Sequence, residues 1–218
     1  MIAMILAAGR GERLRPITDA IPKALVEVAG KSLLDRHLEA VRAAGIDTVV
    51  INLGWLGGQI ATHVGSGADF GLNVVYSPEG DDILETGGGI HRALPILGAE
   101  PFVVVNADIF TDMPLPMTLA DDVDGHLMLV PKPIHHASGD FDLVDGKVAV
   151  NDTAAYTFSG VAIYRPVFFA GCEAGRFPLA PMLRAAAANG RLSGQVYDGC
   201  WADVGTPRRL DELNQQYR

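Results

Sequence analysis

Two hydrophobic rhythms alternate along this chain. Residues 2–5, Ile-Ala-Met-Ile, are apolar at every position, the pattern of a strand buried on both faces. Residues 31–44 instead place Leu33, Leu34, Leu38, Val41 and Ala44 at near-helical intervals, with Gly45 as the C-cap. A β-branched run at 48–53 predicts another buried strand, so the chain opens with a β-loop-α-β unit whose default is a right-handed parallel crossover. A short helix is expected over 56–64, a short strand over 73–76 and a helix entered through glycines over 87–97. Residues 102–105, Phe-Val-Val-Val, read as a strand near the sheet centre.

The second half changes rhythm. Strands are predicted over 127–130, 141–144, 147–150 and 157–164, with Asp145-Gly146 as a hairpin turn. A helix follows over 179–189, ended by Gly190, then a strand over 195–197. Thr206 and Pro207 supply the N-cap and first position of a terminal helix. No linker, repeat or low-complexity tract interrupts the pattern. It predicts an α/β fold in one domain, residues 1–218: a doubly wound, Rossmann-like, mixed and mainly parallel sheet flanked by helices. Its ligand cleft is expected at the carboxyl ends of the parallel strands.

Composition narrows the partners. The 218 residues are 49% hydrophobic, enough for a well-buried core. Lys plus Arg is 17 against 26 Asp plus Glu, a net charge of −9, which argues against nucleic acid or an anionic membrane surface as partner. No stretch of about 18 apolar residues occurs, so no membrane-spanning helix is expected. Cys172 and Cys200 form neither a zinc pattern nor a disulfide framework, and a cytoplasmic monomer or small homo-oligomer is expected. His135-His136 reads as a surface pair, since adjacent side chains point in different directions.

Against that acidic background, residues 6–23 stand out. Small residues at Ala7, Ala8, Gly9 and Gly11 let the backbone approach a ligand closely and turn N–H groups toward an anion. Arg10, Arg13, Arg15 and Lys23 gather four cations in one loop, a cluster that a polyphosphate would neutralise. The spacing is not the dinucleotide fingerprint, because Leu14 stands where a third glycine belongs, and no Walker sequence occurs.

The string L-A-A-G-x-G-x-R-L-x-P from Leu6 to Pro16, followed by P-K-A-L, resembles the signature of the sugar-1-phosphate nucleotidyltransferases. The resemblance implies transfer of a nucleotidyl group from an NTP to a sugar 1-phosphate, with Mg²⁺ and release of pyrophosphate. It implies a mainly nucleotide-binding half at 1–115 and a mainly sugar-phosphate-binding half at 116–218. Asp108, after the strand at 102–105, and Asp203, in W-x-D-x-G-T-P, take the family's metal-ligand positions. Asp108 doubles as a sugar-phosphate residue. Arg13 and Arg15 fall to the departing phosphates and Lys23 to the α-phosphate. Leu6, Ala7, Ala8, Gly9, Gly11 and Asn106 line the nucleotide site, with Glu79, Gly80, Thr86 and Gly87 at the base. Gly139, Asp140, Asn151, Ser159 and Gly160 fall where relatives hold the sugar. The family's E-K-P lysine is missing, and Lys132 and Lys147 replace it poorly by position.

The strings at 51–57, 76–80, 84–90 and 136–141 are similar to the short uridylyltransferases acting on N-acetylmuramate 1-phosphate in cell-wall recycling. UTP and that sugar phosphate are the implied substrates. Mannose or heptose 1-phosphate with GTP, glucose 1-phosphate with UTP or dTTP, and phosphocholine with CTP remain alternatives. So does a non-catalytic nucleotide sensor, although such proteins tend to lose the Arg, Lys and Asp set retained here.

Overall fold

A computed structural model describes residues 1–80, 83–133 and 138–217. His135, His136 and Ala137 lie outside the described residues. In chain order the elements are β1 (Ile2–Leu6), α1 (Ile17–Ala20), β2 (Glu27–Val28), β3 (Lys31–Ser32), α2 (Leu33–Ala43), β4 (Thr48–Leu53), α3 (Gly57–Val64), β5 (Asn73–Pro78) and α4 (Glu85–Leu97). Then come β6 (Phe102–Asn106), β7 (Ile109–Thr111), β8 (Gly125–Pro131), β9 (Asp142–Val144), β10 (Lys147–Ala149), β11 (Tyr156–Tyr164), α5 (Ala180–Ala188), β12 (Leu192–Val196), β13 (Trp201–Asp203) and α6 (Pro207–Gln216).

Among the described residues, one nine-stranded sheet runs through both halves in the order β5-β4-β1-β6-β11-β8-β12-β10-β9. The first four strands are mutually parallel. Strands β8, β12 and β9 share their direction, and only β11 and β10 run against it. The mixed, mainly parallel sheet is therefore as predicted.

The unbroken apolar runs have a direct cause. Ala3 and Ile5 of β1 pack with Leu34 and Leu38 of α2 on one face, while Met4 packs with Ile90 and Ala93 of α4 on the other. A strand sandwiched by helices has no wet face on which polar residues could sit. At the ends of α2, the Ser32 hydroxyl accepts from the Asp35 N–H at 3.0 Å as N-cap, and Gly45 follows at φ 77°, the C-terminal glycine that the sequence implies. Asp145 and Gly146 sit at φ 50° and 76°, the pair of left-handed residues that a two-residue hairpin turn requires.

Two small pairings were not predicted. Strands β2 and β3 form a hairpin, and β13 pairs antiparallel with β7. The second ribbon brings the late segment at 201–203 against the strand that follows β6.

Candidate active site

The parallel strands β1, β4 and β6 end at one edge, and the glycine loop leaves β1 there. Leu6, Ala7, Ala8, Gly9, Asn106, Asp108 and Thr86 line an inner cavity of about 170 Å³. It opens into a wider cleft of about 890 Å³ lined by Gly9, Gly11, Arg13, Lys23, Asp108 and, from the far half, Arg176. Gly11 adopts φ 62°, and a Cβ there would stand 2.8 Å from Thr18 Cγ2. This position needs glycine both for its backbone and for the close approach of the loop to itself.

Two carboxylate-bearing segments distant in sequence meet at this edge. Asp203 lies opposite Ile109 in the β13–β7 ladder, and the Val204 N–H donates to the Asp108 carbonyl at 2.9 Å. Lys23 Nζ is 2.6 Å from Asp108 Oδ2, and Arg209 pairs with Asp203. His37, buried behind this pair, is pushed down to about 4 by burial, against the pull of Asp108. It is therefore neutral near pH 7 and adds no charge. Among the described residues no group of three or more His, Cys, Asp or Glu is arranged to hold a metal. Asp108, a partly exposed carboxylate in the lining of the cleft, suits Mg²⁺, which keeps waters and accepts one or two carboxylates plus phosphate oxygens; Asp203 lines a pocket with Arg209.

Three of the four loop cations, Arg10, Arg13 and Lys23, line the cleft, and Arg15 does not. Arg10 lies over the Trp55 ring at 5.4 Å, and Lys23 is held by Asp108. Arg15, assigned from sequence to the phosphates, is instead 3.0 Å from Asp19, with half of its side chain exposed and no place in the lining of the cleft. The reason is local: Arg15 and Asp19 stand four residues apart across the start of α1. Arg13 lines the cleft, as Arg10 does, with no carboxylate partner among the described residues. Arg15→Ala is accordingly expected to leave kcat within about twofold of wild type, since exposed i,i+4 pairs contribute little; a steady-state assay checks it.

Other expectations also change. Glu79, assigned to the base from the sequence, is engaged inside the protein. It is buried, with Oε1 accepting from Asn52 Nδ2 at 2.6 Å and Oε2 from the Leu84 N–H at 2.7 Å. Gly87 faces Phe177, where a Cβ would stand 2.5 Å from the ring, so its glycine serves packing. Gly80 makes a left-handed turn at φ 75°.

On the sugar side, Gly139 is pressed on the 154–156 backbone, and a Cβ there would meet the Tyr156 carbonyl at 2.4 Å. Asp140 accepts from the Phe158 N–H at 3.0 Å, and Asn151 is bonded to Asp142 and Thr153. Ser159 is buried and accepts from the Val161 N–H, while Gly160 at φ 87° leaves room for the Asn106 side chain. These residues build the bulge of β11 and its neighbouring loop; their polar atoms are engaged internally. Lys147 pairs with Asp122 at an exposed position. Cys172 and Cys200 are both free thiols.

Arg176 was missed from the sequence, where it is a lone arginine in a Gly-Arg-Phe-Pro loop. The loop is stitched to the start of α4: the Phe177 N–H donates to the Leu84 carbonyl at 3.1 Å, the Gly88 N–H to the Phe177 carbonyl at 3.0 Å and the Leu179 N–H to Thr86 Oγ1 at 3.0 Å. Arg176 Nε then reaches Glu85 Oε1 at 2.8 Å, leaving the terminal nitrogens of its guanidinium for an anion.

Arg10, Arg13, Lys23 and Arg176 line one cleft together with Asp108, a charge pattern suited to phosphate groups. The model of the nucleotidyl transferase family matches residues 2–138, and the chain belongs to that family. It is 50% identical to N-acetylmuramate α-1-phosphate uridylyltransferase of Neisseria meningitidis serogroup B over 97% of this chain and 96% of the relative. It is 38% identical to the protein of the same name from Caulobacter vibrioides over 95% of this chain and 93% of that one. In fold it is similar to the crystal structure of HddC from Yersinia pseudotuberculosis, with a TM-score of 0.81 at 21% identity, covering 100% of this chain and 99% of that one. Among the described residues no helix is long and apolar enough to cross a membrane.

Proposed function

We propose that this nucleotidyltransferase moves a uridylyl group from UTP to N-acetylmuramate 1-phosphate and releases pyrophosphate, in a reducing cytosol. The observation that carries the reading is the 50% identity over nearly the whole of both chains to a uridylyltransferase named for that acceptor. The acceptor phosphate is already anionic, so in-line attack on the α-phosphorus needs no general base. What the protein must supply is charge neutralisation and alignment of two polyanions.

The residues divide that work. Leu6, Ala7 and Ala8 shape the wall of the nucleoside cavity with Asn106 and Thr86. Gly9 and Gly11 bring backbone close to the triphosphate, and Arg13 meets the charge that accumulates on the leaving pyrophosphate. Lys23, oriented by Asp108, sits where it reaches the α-phosphate. Asp108 and Asp203 would hold Mg²⁺, whose charge when bound offsets that of the phosphate oxygens. Arg176, on the acceptor half, takes the acceptor phosphate and stands in for the missing E-K-P lysine.

The test is pyrophosphate release over a grid of five nucleotides and several sugar 1-phosphates. The highest kcat/KM is expected for UTP with N-acetylmuramate 1-phosphate; a higher value for GTP with mannose 1-phosphate would overturn the choice. Within the preferred pair, Arg176→Ala is expected to raise the KM for the acceptor on the order of tenfold or more, the loss of one charge-assisted hydrogen bond. The KM for UTP should change far less. An unchanged acceptor KM would remove Arg176 from that role.

A further inference from the structure

We infer that Asn52 and Glu79 form a directional hydrogen-bond relay that sets the two walls of the nucleotide cavity, acting as positioning residues. The inference rests on the nucleotide site of the proposed function but not on the identity of the acceptor. Ala7, the first residue after β1, donates its N–H to Asn52 Oδ1 at 2.6 Å. Asn52 Nδ2 donates to Glu79 Oε1 at 2.6 Å, and the Leu84 N–H donates to Glu79 Oε2 at 2.7 Å. One line of bonds thus runs from the phosphate loop to the segment that opens α4. Asn52 is 3% exposed and Glu79 6%, so water does not compete for these bonds.

The direction of the relay is fixed by chemistry. Both ends are backbone N–H groups, which only donate. The middle must therefore hold two more acceptors than donors, and an amide facing a carboxylate, three oxygens against one N–H₂ group, satisfies every atom. Glu79 has no cationic partner among the described residues, and a buried carboxylate without one is costly. What its charge does here is fix the orientation of the Asn52 amide and hold Leu84. Helix α4 is shaped around the pair: a Cβ on Gly89 would stand 2.6 Å from Glu79 Oε1 and 3.0 Å from Asn52 Nδ2.

This logic makes a swap informative. Glu79→Gln sets the new amide nitrogen against either Asn52 Nδ2 or the Leu84 N–H, donor facing donor. Asn52→Asp sets two carboxylates against each other. The double variant restores the count in reverse. The carboxylate now at position 52 would accept from the Ala7 N–H and from the amide now at position 79. The oxygen of that amide would in turn accept from the Leu84 N–H. Shape is conserved throughout.

The experiment measures the dissociation constant for UTP by calorimetry and the KM values for UTP and acceptor, with thermal melting to confirm folding. Each single variant is expected to weaken UTP binding roughly tenfold to a hundredfold, with the acceptor KM little changed. The double variant is expected to recover most of the loss, and Gly89→Ala to reproduce the single-variant defect. Losses that simply add in the double variant would overturn the relay. So would a changed preference between UTP and CTP in Glu79→Gln, which would make Glu79 a base contact. Failure of the wild type to bind UTP would instead defeat the assignment of the nucleotide, a separate result.

Discussion

Asp108→Asn is expected to lower kcat by at least about a hundredfold while the protein stays folded. The side chain stands at the exit of β6, lines both the inner cavity and the cleft and is partly exposed. The substitution keeps its volume but removes the charge that a divalent cation would need and that holds Lys23 in place. Asp203→Asn should act in the same way, because the β13–β7 ribbon brings the Asp203 segment against the strand that follows Asp108. Wild-type turnover should disappear in EDTA and return with added Mg²⁺. Full turnover of both variants in the presence of chelator would sink the assignment of a metal to these carboxylates.

Arg13→Ala is expected to cost a similar factor, concentrated in kcat and not in the KM of the acceptor. The side chain lines the cleft beside Gly205, where its Nη2 stands 3.5 Å from an added Cβ, and no carboxylate among the described residues neutralises it. A cation free to meet the pyrophosphate contributes most when negative charge is leaving, which is the signature of an interaction made in the transition state. Lys23→Ala should behave alike, with the added effect of releasing Asp108. Single-turnover kinetics separate the chemical step from binding; an unchanged chemical rate in both variants would make the loop structural.

Much of this was legible because it is written in local patterns. The buried runs of β1, β4 and β6 announce a parallel sheet centre, since each is covered on both faces. The end of α2 and the start of α6 sit where Gly45 and Thr206 place them. The ribbon of β7 and β13 was not legible: three-residue strands carry no period, and their pairing joins segments far apart in the chain. Arg15 illustrates another limit. Four cations in one loop look like one site, yet Asp19, just downstream, draws Arg15 away while Arg10, Arg13 and Lys23 line the cleft. The glycines at 87–89 look like a ligand loop, yet Gly87 and Gly88 are needed for contacts with Phe177 and the Gly175 carbonyl. Glu79 was read for its charge, and only burial reveals that both of its oxygens are taken up by Asn52 and Leu84.

The ribbon that carries Asp203 also has a consequence for the timing of synthesis. At ordinary elongation rates the second carboxylate is made roughly 5–20 s after Asp108. Until then a nascent chain possesses the glycine loop, Arg13 and Lys23, and can begin to assemble β5, β4, β1 and β6. It has only half of the acidic pair. The acidic pair is therefore complete only after β13 has been made and has paired with β7.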